Sequence, residues 1–270
     1  MSSSDLKIFS VFHKEYPIPV CDYIVPIQVG KGSSGIDLGF IADNTGDHIA
    51  NKNSTYSELT ALYWIWKNLE SFDCKWVGLS HYRRYFIVPE TIVKKKLLLT
   101  KIITDERPVY EKELSQETLD FIASDKVKNA LLEKLMANKI IVPTALPLRI
   151  DMTCRCSIKN HYIFYHIKED WYLMRDVVTQ MYPNQTQSFD DFFNSRDMMY
   201  CCNMFIADKN TFSDYCAWLF PILSELEKVV KLSEYPYQRR IFGFFSERLL
   251  NFYLYQKKAE LAEFPSLYLI

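Results

Sequence analysis

Short apolar runs alternate along this chain with longer stretches in which apolar residues recur every three or four positions. Leu6 to Phe12 (LKIFSVF) has the length and composition of a buried first strand, closed by the polar turn His13-Lys14-Glu15. Tyr23 to Val29 reads as a second extended segment, and Asp43 to Asn53 is polar and turn-rich. Thr55-Tyr56-Ser57-Glu58 has the capping-box form, in which the threonine accepts from first-turn amides and the glutamate reaches back. Leu59, Leu62, Tyr63, Trp66 and Leu69 then continue at helical spacing. Lys75 to Leu79 reads as a strand running into Ser80-His81-Tyr82-Arg83-Arg84-Tyr85-Phe86.

The stretch from Pro89 to Asn138 is strongly charged and predicts two or three amphipathic helices, followed by a short strand over Lys139 to Pro143. Helix is predicted within Ile163 to Met181, and Met198 to Ala207 (MMYCCNMFIA) reads as one inner strand. Long amphipathic helices follow, marked by Tyr215, Trp218, Leu219, Ile222, Leu226 and Val229, and then by Phe242, Phe245, Leu249 and Phe252 within Arg239 to Tyr255. Short strands separated by helices predict an α/β fold built in layers. No internal repeat or linker interrupts it, so residues 1–270 read as a single domain with a helical insertion near 90–138.

Composition changes this picture in three ways. At 270 residues and 49% hydrophobic, the chain is large enough for a sizeable core. Its 15% aromatic content serves either that core or a cleft that stacks on sugars or bases. A net charge of -1 supplies no field toward nucleic acid, so phosphate recognition must be local. The seven cysteines are odd in number and the start, Met1 to Asp5, is polar, which fits reduced thiols in a cytoplasmic protein. No apolar run approaches the roughly 18 residues of a membrane span, although contact with a membrane surface stays open. Lys94-Lys95-Lys96 beside Leu97-Leu98-Leu99 offers such a patch, and equally a solvated helix face.

The strongest candidate chemistry is His81-Tyr82-Arg83-Arg84 at the end of a strand, where ligands of open α/β sheets gather. Arginines there can grip a diphosphate with bidentate, charge-assisted hydrogen bonds, or can form structural ion pairs. Neighbouring residues on a strand face opposite ways, so only one of Arg83 and Arg84 faces the site unless the chain turns. Gly30-Lys31-Gly32-Ser33-Ser34-Gly35 matches the dinucleotide pattern, but Gly39, Asp43 and Gly46 interrupt the helix that the pattern requires, so it reads as a flexible loop. Cys154 and Cys156 with His161 and His166 are too tightly and irregularly spaced for a usual zinc site. Cys201-Cys202 reads as small apolar core. Asp43, Asp47, Asp190 and Asp191 are candidate carboxylates for a base or a divalent metal, and Ser188-Phe189-Asp190-Asp191 also has capping-box form. No Asp-x-Asp follows an apolar strand, so no metal ligand is named; a divalent metal stays possible, with cationic side chains favoured for the neutralising role.

Taken in order, Phe12-His13-Lys14, Pro26-Ile27-Gln28-Val29-Gly30, Asp43-Asn44-Thr45-Gly46-Asp47, the run Glu58 to Asn68, Gly78 to Phe86, Asn203-Met204-Phe205-Ile206 and the run Arg240 to Leu249 resemble a bacterial family. It is that of the capsular polysaccharide synthesis glycosyltransferases, first catalogued as a domain of unknown function. The likeness extends from about residue 7 to 255 and is weakest over 90–140. It implies a GT-A-like α/β/α sandwich with a mostly parallel central sheet. It also implies transfer of a sugar, by preference galactofuranose, from a uridine-diphosphate donor to a growing capsular or O-antigen polysaccharide or a lipid-linked oligosaccharide. The setting implied is the cytoplasm or the inner face of the cell membrane. The donor is expected against His13, Lys14, Val29, Gly30, His81, Tyr82, Arg83, Arg84, Asn203 and Arg240. The catalytic base is expected among Asp191, Asp190 and Glu247. A carbohydrate-binding protein without catalysis is the alternative, and a hydrolase using paired carboxylates a third reading.

Overall fold

The structure, a computed structural model, describes residues 5–88, 109–151 and 153–270. The first half comprises β1 (Leu6–Phe12), β2 (Ile24–Gln28), the single turn α1 (Lys31–Ser34), β3 (Ile41–Ala42), α2 (Asn53–Tyr56), α3 (Leu59–Lys67), β4 (Trp76–His81) and β5 (Arg84–Phe86). There follow β6 (Val109–Lys112), α4 (Gln116–Ile122), α5 (Asp125–Met136), β7 (Ile140–Pro143), β8 (Leu146–Pro147), α6 (Ile158–Tyr165), α7 (Lys168–Met181) and α8 (Thr186–Ser195). The chain ends with β9 (Met198–Met199), β10 (Phe205–Asp208), α9 (Lys209–Val229), α10 (Ile241–Gln256), β11 (Leu261–Phe264) and β12 (Ser266–Leu269).

One sheet runs β11-β7-β10-β4-β1-β2-β3, with β5, β12 and β6 extending it. The neighbours β1–β2, β1–β4, β2–β3 and β7–β11 are parallel, and β10 enters antiparallel between β4 and β7. The two-residue period of each strand divides the core between two layers. Phe9, Val11, Val77, Leu79, Phe205 and Ala207 join the core beneath α3, α6, α7, α8, α9 and α10. Leu6, Ile8, Met204 and Ile206 join the opposite core with Leu119, Ile122, Val127, Leu131 and Leu135 of α4 and α5. This is the predicted α/β layering, with helices on both faces of a mostly parallel sheet.

Gly78 allows β10 to lie against β4. It pairs with Ile206, and a Cβ on it would stand 2.6 Å from the Phe205 carbonyl oxygen and 2.7 Å from Ile206 Cγ1. No side chain larger than hydrogen fits without displacing that strand.

Four local expectations change. The capping box at Thr55 does not form: Thr55 lies inside α2 and its hydroxyl donates to the Lys52 carbonyl, while the helix breaks at Ser57. The glycine-rich stretch is not a loop throughout; α1 makes one turn between Gly30 and Gly35, both left-handed. Met198 to Ala207 is two strands, because Cys202 and Asn203 take positive φ and turn the chain between them. The capping box at Ser188 is also absent, since Ser188 lies inside α8 and its hydroxyl donates to Gln185. Of the charged stretch 90–138, the described part holds β6 as well as α4 and α5; Lys94, Lys95 and Lys96 fall outside the described residues.

Candidate active site

The carboxyl ends of β1 and β4 and the start of the antiparallel β10 lie at one end of the sheet, since Phe205 pairs with Leu79 and Asp208 with Trp76. Chain segments leaving these strands meet the start of α10 there. After β4, Tyr82 and Arg83 form a turn and Arg84 pairs back with His81. That reversal answers the strand-alternation problem, because it keeps both arginines at the rim. Arg83 lies over the rings of Tyr82 and Tyr268, each 5.1 Å away, and Arg84 lies over Tyr268 at 5.0 Å. His13 packs edge-on to Tyr82 at 5.1 Å, and Lys14 stands over the same ring at 5.6 Å.

Protonation reports the closeness of these groups. Burial, and then the charges of Lys14, Arg240, Arg83 and His81, hold His13 below its ordinary value. Burial, with Arg84 and Arg240, lowers His81 against the opposing pull of Glu58 and the Cys202 carbonyl. Both imidazoles therefore favour the neutral form, and Lys14, Arg83, Arg84 and Arg240 carry the positive charge. His81 Nε2 lies 2.6 Å from the Cys202 carbonyl oxygen, which fixes its ring.

A carboxylate lies against this cationic group. Ser57 adopts φ 52 and ψ -128, outside the range comfortable for a residue with a Cβ, and so breaks the helix between α2 and α3. The break brings Ser57 and Glu58 to the start of α10. Arg240 Nε donates to Ser57 Oγ at 2.9 Å, and an Arg240 terminal nitrogen stands 4.0 Å from Glu58 Oε2. The Glu58 side chain is only 10% exposed. Its other oxygen accepts from Asn203 Nδ2 at 2.7 Å, and the same Asn203 nitrogen donates to the Gly243 carbonyl at 3.2 Å. Glu247, one turn further along α10, accepts from the Cys202 amide and pairs with Arg248 at 2.6 Å. Cys201 and Cys202 thus border the site, and burial raises both thiols, Cys202 to about 12.

His13, Lys14, His81, Tyr82, Arg83, Arg84, Asn203, Arg240 and Glu247 therefore gather at one end of the sheet. Val29 and Gly30 close the neighbouring β2, where Val29 donates to the Phe12 carbonyl and Gln28 ties down Ile36 and Leu38. Asp190 and Asp191 stand apart on α8. Asp190 forms two hydrogen bonds with Arg175, at 2.7 and 2.5 Å, and Asp191 accepts from Gln187 at 2.9 Å. Next to them, Ser188 contacts Gln256, the last residue of α10. At a rise of about 1.5 Å per residue, that end lies roughly 24 Å along the helix from Arg240. Asp43 is fully buried, with its carboxyl raised by burial against the opposing effect of the Thr60 hydroxyl, and Asp47 accepts from the Tyr63 hydroxyl.

Sequence reasoning passed over Glu58 as a site residue because it completed a capping box. The available signal was its place at the head of the Glu58–Asn68 run, one of the segments that carries the family resemblance. Among the described residues no group of three or more His, Cys, Asp and Glu side chains is placed to hold a metal ion, and His161 and His166 turn to Arg248 and Gln238. No helix of the described residues is long and apolar enough to cross a membrane. A cavity of about 240 Å³ opens at the opposite end of the sheet, between Trp76, Ile140, Asp208 and Tyr253, and none of the predicted site residues lines it.

Comparison with known proteins gives two findings. Residues 7–258 match the family model described as a domain of unknown function, DUF4422. The solved apo structure of WbbM, a bifunctional glycosyltransferase, superposes with a TM-score of 0.81 at 27% identity, over 98% of this chain and 45% of that one. This chain thus spans less than half the length of that relative, and the fold is GT-A-like. No curated protein matches.

Proposed function

The chain belongs to the DUF4422 family, and from that premise we propose that it is a glycosyltransferase that takes its sugar from a nucleotide-diphosphate donor. The observation that carries the reading is the convergence of Lys14, Arg83, Arg84 and Arg240 around neutral His13 and His81, with the Glu58 carboxylate against them. The likeness to a chain that includes a glycosyltransferase supports it. The donor is taken as uridine-diphosphate galactofuranose and the acceptor as a growing capsular or O-antigen polysaccharide, handled at the inner face of the cell membrane. Residues 1–270 are read as one catalytic domain.

In this reading the diphosphate lies along the rim formed by His13, Lys14, Arg83, Arg84 and Arg240, with Val29 and Gly30 near the nucleotide. As the anomeric carbon–oxygen bond breaks, its electron pair passes to the diphosphate, and the cations stabilise the charge that develops there. Fixed dipoles and cations at such a position need little reorganisation during the reaction. For an inverting transfer, Glu58 takes the proton from the attacking acceptor hydroxyl. Among the described residues its Oε2 meets a distant Arg240 contact, whereas both oxygens of Glu247 are engaged by Arg248 and the Cys202 amide. Glu247 therefore positions the 202–203 turn, and Asn203 orients Glu58.

Calorimetry with uridine diphosphate tests the proposal. The wild-type protein should bind it saturably, and the Arg83→Ala/Arg240→Ala variant should bind about tenfold or more weakly, since each hydrogen bond to a charged group contributes roughly 1.5–3 kcal/mol. A folded wild-type protein that bound glycans and no nucleoside diphosphate would instead be a carbohydrate-binding protein.

A further inference from the structure

The two histidines that the sequence set near Cys154 and Cys156 lie on a surface that the donor site does not use. In α6, Ile158 and Tyr162 are buried one turn apart and hold the helix to the core. That register turns Phe164 and Tyr165 outward, 58% and 44% exposed. His166 follows, with its ring 4.1 Å from Phe244 and nearly parallel to Tyr237 at 6.1 Å. Tyr237 is 58% exposed and packs 5.2 Å from Phe244. Gln238 joins the two segments: its Nε2 donates to the Tyr165 carbonyl at 3.0 Å, and its Oε1 lies 3.2 Å from His166 Nδ1. Two groups of rings, Phe164 with Tyr165 at 5.0 Å and His166 with Tyr237 and Phe244, thus lie side by side as one strip, joined by the Gln238 amide.

The strip runs into the cationic site at two points. Tyr237 stands three residues before Arg240, in the segment that enters α10. Behind Tyr165, the His161 ring lies 4.7 Å away and meets Arg248, the ion-pair partner of Glu247. We propose that Phe164, Tyr165, His166, Tyr237, Gln238 and Phe244 form an acceptor subsite that holds the neutral sugar rings of the glycan being extended. This rests on the transferase reading, in which an acceptor must approach Glu58 from outside the donor rim.

The chemistry of the strip selects such a ligand. A pyranose or furanose ring offers an apolar C–H face to aromatic rings and hydroxyls to amides and imidazoles. Burial, followed by the charge of Arg248, lowers His161 and His166 to about 4, so neither adds positive charge at neutral pH. The cations gathered for a diphosphate are Lys14, Arg83, Arg84 and Arg240 at the donor rim, whereas the side chains of the strip itself are aromatic, amide and neutral imidazole.

The test uses galactose and a galactose trisaccharide, each as an octyl glycoside. Without donor, saturation-transfer NMR should show contact between the protein and the trisaccharide ring protons, weakened in Tyr237→Ala and in Phe164→Ala. With donor, Tyr237→Ala should raise the trisaccharide KM roughly three- to tenfold, equivalent to the ~0.5–1.5 kcal/mol of an aromatic stack. The donor KM should not change, and the KM for the monosaccharide should move less than that for the trisaccharide. No contact in the wild type, or equal contact and equal KM in both variants, overturns the subsite. Calorimetric binding of uridine diphosphate reads the transferase assignment independently. A protein that holds the trisaccharide through these rings but binds no nucleotide keeps the sugar site and loses the transferase.

Discussion

Two pairs of acidic residues show how differently this chain treats a carboxylate. Asp190 and Asp191 sit on α8, where Arg175 and Gln187 bind them and water reaches them. Glu58 and Glu247 sit where strand ends and helix starts converge, in a setting built from unusual backbone: positive φ at Ser57, Cys202 and Asn203. The first pair follows from its own helix. The second exists only because three distant segments, around residues 58, 203 and 247, are folded onto one another. A short acidic doublet is therefore a weak guide to chemistry beside a carboxylate held by long-range contacts.

The sharpest way to break this comparison is to neutralise both sides. Glu58→Gln keeps the shape and the hydrogen bond from Asn203 but removes the proton acceptor. Loss of a general base typically costs about 10²–10⁴-fold in rate. The kcat should fall by that amount with folding unchanged, while Asp190→Asn and Asp191→Asn stay within about twofold of wild type. A transfer assay that found the reverse order would move the base to α8 and undo the reading of the sheet end.

Much of this could be read before the fold was known. The strands at Leu6, Lys75 and Lys139 and the helices after Leu59, Tyr215 and Arg239 carry periodicities that depend only on which face is buried. His81, Arg83 and Arg84 were legible as candidates because their motif ends a strand, and Arg240 through the run from Arg240 to Leu249 that carries the family resemblance. What escaped was non-local or backbone-encoded. β11 and β12 are short and defined by partners far along the chain: β7 for one, and β5 and β6 for the other. The turn at Cys202–Asn203 lies inside an apolar run, so hydropathy extends one strand through it. Glu58 looked like a cap because Thr55 stands three residues before it, and nothing local announces that Ser57 will break the helix.

A smaller effect should come from Gly78→Ala, which perturbs the sheet end and spares α8. The new methyl group would meet the Phe205 carbonyl and Ile206, forcing β10 away from β4. Overpacking of this kind costs about 1–3 kcal/mol, and a domain of this size loses roughly 2–4 °C in Tm per kcal/mol. Thermal melting should therefore fall by several degrees, and transfer should weaken further because β10 carries the Asn203 turn. A variant melting with the wild type would show that the two strands do not approach so closely.

The smallest effect belongs to the other side of the comparison. The Arg175 guanidinium holds the Asp190 carboxyl below the usual carboxylate range. Both side chains are about one-third exposed, 31% each, so solvent screens the pair. Asp190→Asn should cost only about 0.2–1 kcal/mol, with donor and acceptor kinetics intact. The pH dependence fixes the cause. Because the folded state releases this proton more readily than the unfolded chain, the stabilisation is complete above the unfolded value of about 3.9. It is lost as the pH falls through the lower folded value. The melting difference between wild type and Asp190→Asn should therefore be full at pH 7 and shrink below about pH 4. A difference that persisted into acid would assign the contribution of Asp190 to packing and not to its exposed pairing with Arg175, the solvent-screened counterpart of the buried Glu247–Arg248 pair at the sheet end.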